Sequence, residues 1–291
     1  MIEKIKKTAV IGSGMMGSQI AELLARLAGY EVTLVDLTDE LVNNGIKGIA
    51  DRIDRFFVSK GKLSPEERDR IMGLIKGNAD MKAVVEGVDF VIEAAVENLA
   101  IKKEIFANLE ASAPQHAIFA SNTSYQNISE LAAVTKRPDK VVGTHFFNPV
   151  AKMALVEVVR GALTSDETTE TAVALSKKLG KEPVVCRDFS YGFLANRAYL
   201  AMVKEAVQMV WEKVGSPEEI DKALRLGYNL PMGPLELFDF VGGWKIAVSS
   251  EQDEMREMGP EKGKLHPLIR MMSRAGYTEI YPFWKDALSK W

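Results

Sequence analysis

Short apolar runs alternate with helical patterns through the first two thirds of the chain, and then the runs stop. TAVIG (residues 8–12) is such a run ending in glycine, and behind it Ile20, Leu23, Leu24 and Leu27 recur at helical spacing. Strand, tight turn and helix are predicted there. YEVTLVD (30–36), VDFVIEAA (88–95), AIFASNTS (117–124) and KVVGTHFF (140–147) predict four more strands, with helical stretches between them as parallel βαβ units require. ALVEVV (154–159) is a further β-rich run.

Between Asp36 and Val88 lie about fifty residues, far more than a crossover needs. They read as helical, with a break at Gly61 and a start signal at SPEE (64–67), where Ser64 can cap, Pro65 suits the first turn and the acids suit the dipole. A helical hairpin with SKGK (59–62) at its tip is expected to project from the sheet. From Gly192 onward the chain reads as helices punctuated by GSPEE (215–219), LPMGP (230–234) and VGG (241–243). The expected architecture is an α/β, Rossmann-type doubly wound sheet over residues 1–187, then an all-helical domain over 188–291.

Composition narrows the function classes. A chain of 291 residues with 47% hydrophobic content can bury two domain cores. The net charge of -3, with both signs interspersed, gives no field for nucleic acid or a membrane surface. The single cysteine, Cys186, excludes an intrachain disulfide, and no Cys/His cluster has metal-site spacing, so no metal is expected. A reducing, cytoplasmic compartment fits. MIEKIKKTAVIG lacks a signal-peptide core, and no run of about 18 apolar residues offers a membrane span.

VIGSGMMGSQIA places Gly12, Gly14 and Gly17 in G-x-G-x-x-G spacing after a strand, with Met15 and Met16 opening the helix. The first glycine permits the turn, the second lets a pyrophosphate approach the backbone, and the third lets helix and strand pack closely. The helix N-terminal amides then hold the anion. The second strand ends at Asp36, whose carboxylate can accept both ribose hydroxyls and would repel a 2'-phosphate. The combination predicts NAD as cofactor.

His145 ends an apolar strand in a chain with three histidines. If its strand and ALVEVV pair as an antiparallel hairpin centred near Ala151, reflection places Glu157 opposite His145, with β-carbons about 5 Å apart. The carboxylate can hold one ring nitrogen and leave the other to take a proton, the logic of an oriented general base. A structural, hydrogen-bonding histidine is the competing reading from position alone. SNTS (121–124) follows the fourth strand, so Asn122 and Ser124 should face a cleft beyond the carboxyl ends of the sheet. Glu97 and Asn98 lie just beyond the third strand, where cleft residues are also expected. Lys102 reads as a solvated helix residue, and Asn196 as a helix-facing polar group. His116 and His266 lie away from any such ligand-facing end.

The glycine turn, AAVENLAIKKEIF, SNTS, HFFNP, LVEVV, GFLANR and MGPLEL, in that order, resemble the L-3-hydroxyacyl-CoA dehydrogenase family over about residues 5–245. The resemblance implies that His145 is the catalytic base and Glu157 its partner, with Ser124 and Asn196 positioning the substrate's 3-oxygen. It implies that Asp36, Glu97, Lys102, Ser124 and Asn148 contact NAD, and that the hairpin meets the CoA nucleotide, where Arg52, Lys60 and Lys62 are the local cations. A homodimer, an acyl-CoA substrate and a place in fatty acid metabolism such as beta-oxidation are implied likewise. Two segments depart from the family pattern: DFSYGF (188–193) lacks a proline and carries one extra residue, and AGYTEIYPFWKDALSKW replaces a glycine-rich ending. Tyr125 also replaces a small residue after SNTS. Other readings remain open at this point. They are a free hydroxy-acid dehydrogenase of the gulonate dehydrogenase or lambda-crystallin kind, and a non-catalytic NAD-binding protein; a 3-hydroxyisobutyrate dehydrogenase, which uses a lysine base, is disfavoured by the HFFNP histidine.

Overall fold

A computed structural model describes residues 2–189 and 191–289. The chain divides into two compact units, residues 1–189 and 190–291. The first holds one eight-stranded sheet. Its strands are β1 (Lys7–Ile11), β2 (Glu31–Val35), β3 (Ile75–Asn78), β4 (Phe90–Glu93), β5 (Ile118–Ser121), β6 (Val141–Phe146), β7 (Leu155–Arg160) and β8 (Glu182–Arg187). The order across the sheet is β3-β2-β1-β4-β5-β6-β7-β8. Every neighbouring pair is parallel except β6 and β7. The chain thus winds outward from β1 through β2 to β3 and then crosses to β4, a doubly wound sheet whose switch point lies between β1 and β4.

The helices of this unit are α1 (Met15–Leu23), α2 (Asp39–Ile53), α3 (Pro65–Gly73), α4 (Met81–Val85), α5 (Leu99–Ser112), α6 (Ile128–Ala132) and α7 (Asp166–Lys178). Helices cover the sheet, so its central strands are buried along their whole length: every residue of β4 and β5 is buried, and only the last residue of each, Glu93 and Ser121, is polar. Val10, Leu34, Phe90, Ile92 and Ile118 pack with Ile20 and Leu24 in one core.

Two strands differ from the sequence reading, which finds only helix between Asp36 and Val88 and singles out no run after ALVEVV. β3, sequence IKGN, is short and polar and lies at one edge beside β2. β8 forms the other edge, where Pro183 is tolerated because an edge strand leaves one row of backbone groups unpaired. Edge strands bury one side at most and so lack the apolar run that marks a central strand.

The hairpin is present. α2 continues through a π-helical turn at Asp54–Val58 to an exposed tip at Ser59–Lys62. α3 opens with a reciprocal capping box, Ser64 Oγ accepting from Glu67 N at 3.2 Å and Glu67 Oε2 from Ser64 N at 2.8 Å. Arg68 grips Asp54 through two nitrogens at 3.0 and 3.2 Å, tying the two limbs together.

The second unit is helical: α8 (Ala195–Trp211), α9 (Pro217–Tyr228), α10 (Pro234–Phe240), α11 (Gly243–Met258), α12 (Pro260–Gly263), α13 (Pro267–Arg274) and α14 (Ile280–Phe283). Val203, Val207, Leu235, Phe238, Leu268, Met272 and Phe283 form its core. Buried Asp221 accepts from Leu235 N and Glu236 N at the start of α10 and from Tyr281 Oη at 2.6 Å. Asp239 accepts from Ile280 N and Tyr281 N. The departing C-terminal segment is therefore anchored to α9 and α10 by one aspartate on each, Asp221 and Asp239. Lys290 and Trp291, at the end of that segment, and Ser190 of DFSYGF lie outside the described residues. Among the described residues no helix is long and apolar enough to cross a membrane.

Candidate active site

The glycine turn joins β1 to α1 at the switch point. Gly12 has φ 103°, and a Cβ there would sit 2.5 Å from Ala94 O. A Cβ on Gly17 would sit 1.8 Å from Gly12 O, so strand and helix approach as closely as glycine alone permits. Gly14, by contrast, caps α1 with nothing within 4 Å of a Cβ, which leaves the helix N-terminus approachable. A cavity of about 320 Å³ opens between Ser13, Gly14, Met15, Asp36 and Asn44. Met15 is exposed and Met16 half-buried. Asp36 Oδ2 accepts from both Ser13 N and Ser13 Oγ at 2.7 Å, and Oδ1 accepts from Leu37 N at 2.8 Å. Burial opposes its charge, but the bonds from Ser13 and then Leu37 outweigh it and hold the carboxyl below its ordinary range. Uncluttered amides at a helix start beside a preformed carboxylate fit a dinucleotide's pyrophosphate and ribose.

Three and four strands from β1, β6 and β7 pair so that His145 faces Glu157. His145 Nδ1 and Glu157 Oε2 are 2.7 Å apart, with the two residues 3% and 0% exposed. The carboxylate accepts from Nδ1, which fixes the orientation of the imidazole ring. Phe147 packs on the imidazole at 4.4 Å between ring centroids. Cys186 on β8 is no competing nucleophile: burial first, then the charges of Glu157 and Asp188, push its thiol up to about 12.

The SNTS turn leaves β5 beside this pair. Asn122 Oδ1 accepts from Phe146 N at 2.9 Å, binding the turn to the residue after the histidine. Ser124 N and Tyr125 N both donate to Glu97 Oε1 at 3.0 Å, and Thr123 Oγ1 donates to the same oxygen. Asn148 is exposed in the turn after β6.

The remaining expected site residues are Lys102, Arg52, Lys60 and Asn196. Lys102, read as solvated, is 1% exposed, with its ammonium 2.7 Å from Glu93 Oε1. Arg52 is turned to α1, its Nε donating to Glu22 Oε2 at 3.0 Å, whereas Lys60 is exposed at the hairpin tip beside the Phe56 ring. Asn196 is the second residue of α8, in the other unit. His116 bonds Asp89 at 3.0 Å, and His266 caps α13 through Nδ1 while Nε2 meets Gln208, so both are structural.

Sequence reasoning misses several groups that hold the site. Gln19 Oε1 accepts from Val150 N at 2.9 Å, tying α1 to the turn after β6. Lys181 Nζ braces the same turn, donating to Met153 O at 2.8 Å and to Val150 O. Of these groups Glu93 carries a signal in the sequence, as an acid ending an otherwise apolar strand.

The chain is similar to known proteins over most of its length. The family model described as 3-hydroxyacyl-CoA dehydrogenase, NAD binding domain, matches residues 7–189, and that of the C-terminal domain matches residues 192–279. A probable 3-hydroxybutyryl-CoA dehydrogenase of Bacillus subtilis is 42% identical over 274 residues, covering 94% of both chains. The human mitochondrial hydroxyacyl-coenzyme A dehydrogenase is 41% identical over 242 residues, 82% of this chain and 76% of its own. Among solved structures, the (S)-3-hydroxybutyryl-CoA dehydrogenase of Ralstonia eutropha superposes with TM-score 0.88 at 37% identity, over 96% of this chain and 99% of that one.

Proposed function

The chain belongs to the 3-hydroxyacyl-CoA dehydrogenase family, and we propose that it interconverts a (3S)-3-hydroxyacyl-CoA and the 3-ketoacyl-CoA, with His145 as general base and Glu157 as the group that orients it. It is an NAD-dependent oxidoreductase. The observation that carries the assignment of roles is the buried Nδ1···Oε2 bond of 2.7 Å beside the SNTS turn.

In this reading the amides of Gly14, Met15 and Met16 hold the pyrophosphate, with Gly12 and Gly17 allowing the approach, and Asp36 accepts the ribose hydroxyls. Asp36 is preformed for the task, because Ser13 keeps it anionic. Glu97, Asn122, Ser124 and Asn148 line the cofactor's other end. NAD, when bound, supplies the redox half of the reaction by accepting a hydride from C3. His145 Nε2 takes the proton of the 3-hydroxyl during oxidation and returns it during reduction. Glu157 stabilises the imidazolium so formed by roughly 4 kcal/mol at an effective dielectric near 20. Ser124 holds the 3-oxygen through its side chain. The hairpin's exposed Lys60 and Lys62 meet the CoA phosphates, while Arg52 contributes with the nitrogens that Glu22 leaves to it.

Two copies are proposed to associate through the helical unit, where Leu226, Tyr228 and Phe240 are exposed. Size-exclusion chromatography with light scattering tests this, a monomer at micromolar concentration ruling it out. The substrate class is tested by following NADH absorbance with acetoacetyl-CoA and with free acetoacetate. Preference for the thioester supports the reading, and preference for the free acid moves the chain to a hydroxy-acid dehydrogenase.

A further inference from the structure

We infer that Glu22 is a positioning residue: a buried carboxylate on α1 that grips Arg26 and Arg52 and so sets the angle at which the hairpin meets the nucleotide end of the acyl-CoA. The inference deepens the acyl-CoA reading and rests on it.

The hairpin needs such a grip. Ile53 is the last buried residue of its outgoing limb and Ile71 the first on the return, and no residue from 54 to 70 is buried. Of the apolar side chains between them, Val58 and Leu63 lean on the core. Arg68 and Asp54 tie limb to limb, which stiffens the hairpin but does not fix it to the sheet. Its exposed cations, Arg55, Lys60 and Lys62, therefore sit on a lever whose direction is set at its root.

Glu22 stands at that root. It is 3% exposed, and its Oε2 accepts from Arg52 Nε, on α2, at 3.0 Å. Its Oε1 lies 3.4 Å from Arg26 Nε, one turn further along the same helix. The Arg26 guanidinium in turn lies over the Phe57 ring, 4.3 Å from its centroid. Phe57 belongs to the π-helical turn Asp54–Val58, and Arg26 to a matching turn, Leu24–Ala28, that continues α1. Such turns are rare and concentrate at functional sites, and here two of them meet through one cation and one ring. One carboxylate thus reaches the hairpin twice, directly through Arg52 and through Arg26 to Phe57.

The same helix also holds the strand of the catalytic pair. Gln19 and Glu22 are i and i+3 on α1, and Gln19 Oε1 accepts from Val150 N in the turn after β6. The strand of His145 and the hairpin are therefore referred to one rigid element, which fixes the span between them.

A purely stabilising role gives different expectations. A carboxylate buried between two guanidiniums carries a desolvation penalty that its ion pairs offset only in part, and apolar side chains of equal volume would hold the helices together as well. If Glu22 served stability alone, its loss would lower Tm and treat all substrates alike. If it aims the hairpin, its loss weakens binding of a thioester that carries the nucleotide and spares one that does not.

The experiment compares the full chain with Glu22→Gln, which keeps the shape and removes the charge. Acetoacetyl-CoA is set against acetoacetyl-pantetheine, which has the same reacting group and no nucleotide, with NADH in both assays. KM for acetoacetyl-CoA should rise about tenfold or more, the loss of roughly one charge-assisted hydrogen bond. kcat, KM for acetoacetyl-pantetheine and NAD affinity by calorimetry should stay within about threefold. Hydrogen–deuterium exchange of residues 54–63 without ligand should rise by about tenfold, read at the amides of Ser59, Gly61 and Lys62, which bond Asp54 O, Val58 O and Phe57 O. An unchanged KM for acetoacetyl-CoA, or equal losses with the two thioesters, overturns the inference, as does unchanged exchange in 54–63. If Glu22→Gln does not fold, Phe57→Leu removes the ring under Arg26 at a half-buried position and must give the same selective rise in KM. A wild-type chain that takes both thioesters with equal KM rejects the hairpin's part in the functional reading instead, and the exchange result then decides the grip of Glu22 by itself.

Discussion

Replacing Glu157 by Gln removes a charge while keeping the shape and a hydrogen-bonding group opposite His145. In the native site the Nδ1···Oε2 distance is 2.7 Å and both residues are buried, so water screens the pair little. With charge centres about 4 Å apart and an effective dielectric near 20, the full imidazolium is favoured by roughly 4 kcal/mol. About half of that charge has developed when the proton is half transferred, so the barrier should rise by about 2 kcal/mol, close to a thirtyfold loss of kcat. The buried amide also lets Nδ1 face a donor in one of its two orientations, which adds misaligned tautomers and takes the loss toward a hundredfold. NAD affinity should not change, because Glu157 lies on β7, away from the glycine turn. The assay is NADH consumption with acetoacetyl-CoA under saturation, alongside calorimetric titration of NAD. A kcat within about twofold of the wild type would refute the argument that the carboxylate stabilises charge on the histidine.

Gly17→Ala should abolish NAD binding and lower Tm, since its Cβ would meet Gly12 O at 1.8 Å, whereas Gly14→Ala should leave Tm unchanged and weaken NAD binding alone; thermal unfolding and calorimetry on both check the contrast. Asp36 has a folded-state pKa below its unfolded value, so it contributes stability above the unfolded pKa that disappears as pH falls through the folded one; Asp36→Asn should flatten the Tm loss below about pH 4 and raise the use of NADP relative to NAD. Cys186, with its thiol pushed up to about 12, should resist iodoacetamide at pH 8 in the native chain and react once unfolded, as read by mass spectrometry.

Much of this arrangement is legible in sequence, for reasons that also mark where legibility ends. β1, β4 and β5 announce themselves because strands covered on both faces carry near-continuous apolar runs. The register of His145 and Glu157 follows from symmetry, since a short antiparallel connection fixes which residues face each other. SPEE announces the start of α3 through a local capping geometry that needs no tertiary partner. β3 and β8 stay hidden because an edge strand tolerates lysine, glycine and proline. Lys102 reads as solvated because its burial depends on Glu93, nine residues earlier on another element. Arg52 reads as a free cation because its partner, Glu22, lies thirty residues away on α1. Gln19 and Lys181 brace a turn distant in the chain, and no local pattern reports such a contact.

The claim at the centre is that His145 moves the proton of the 3-hydroxyl. Turnover of acetoacetyl-CoA by His145→Gln, measured with NADH beside the wild type, tests it most directly. Loss of about 100- to 10,000-fold with NAD binding retained is the predicted result. Undiminished turnover in the folded variant would contradict it.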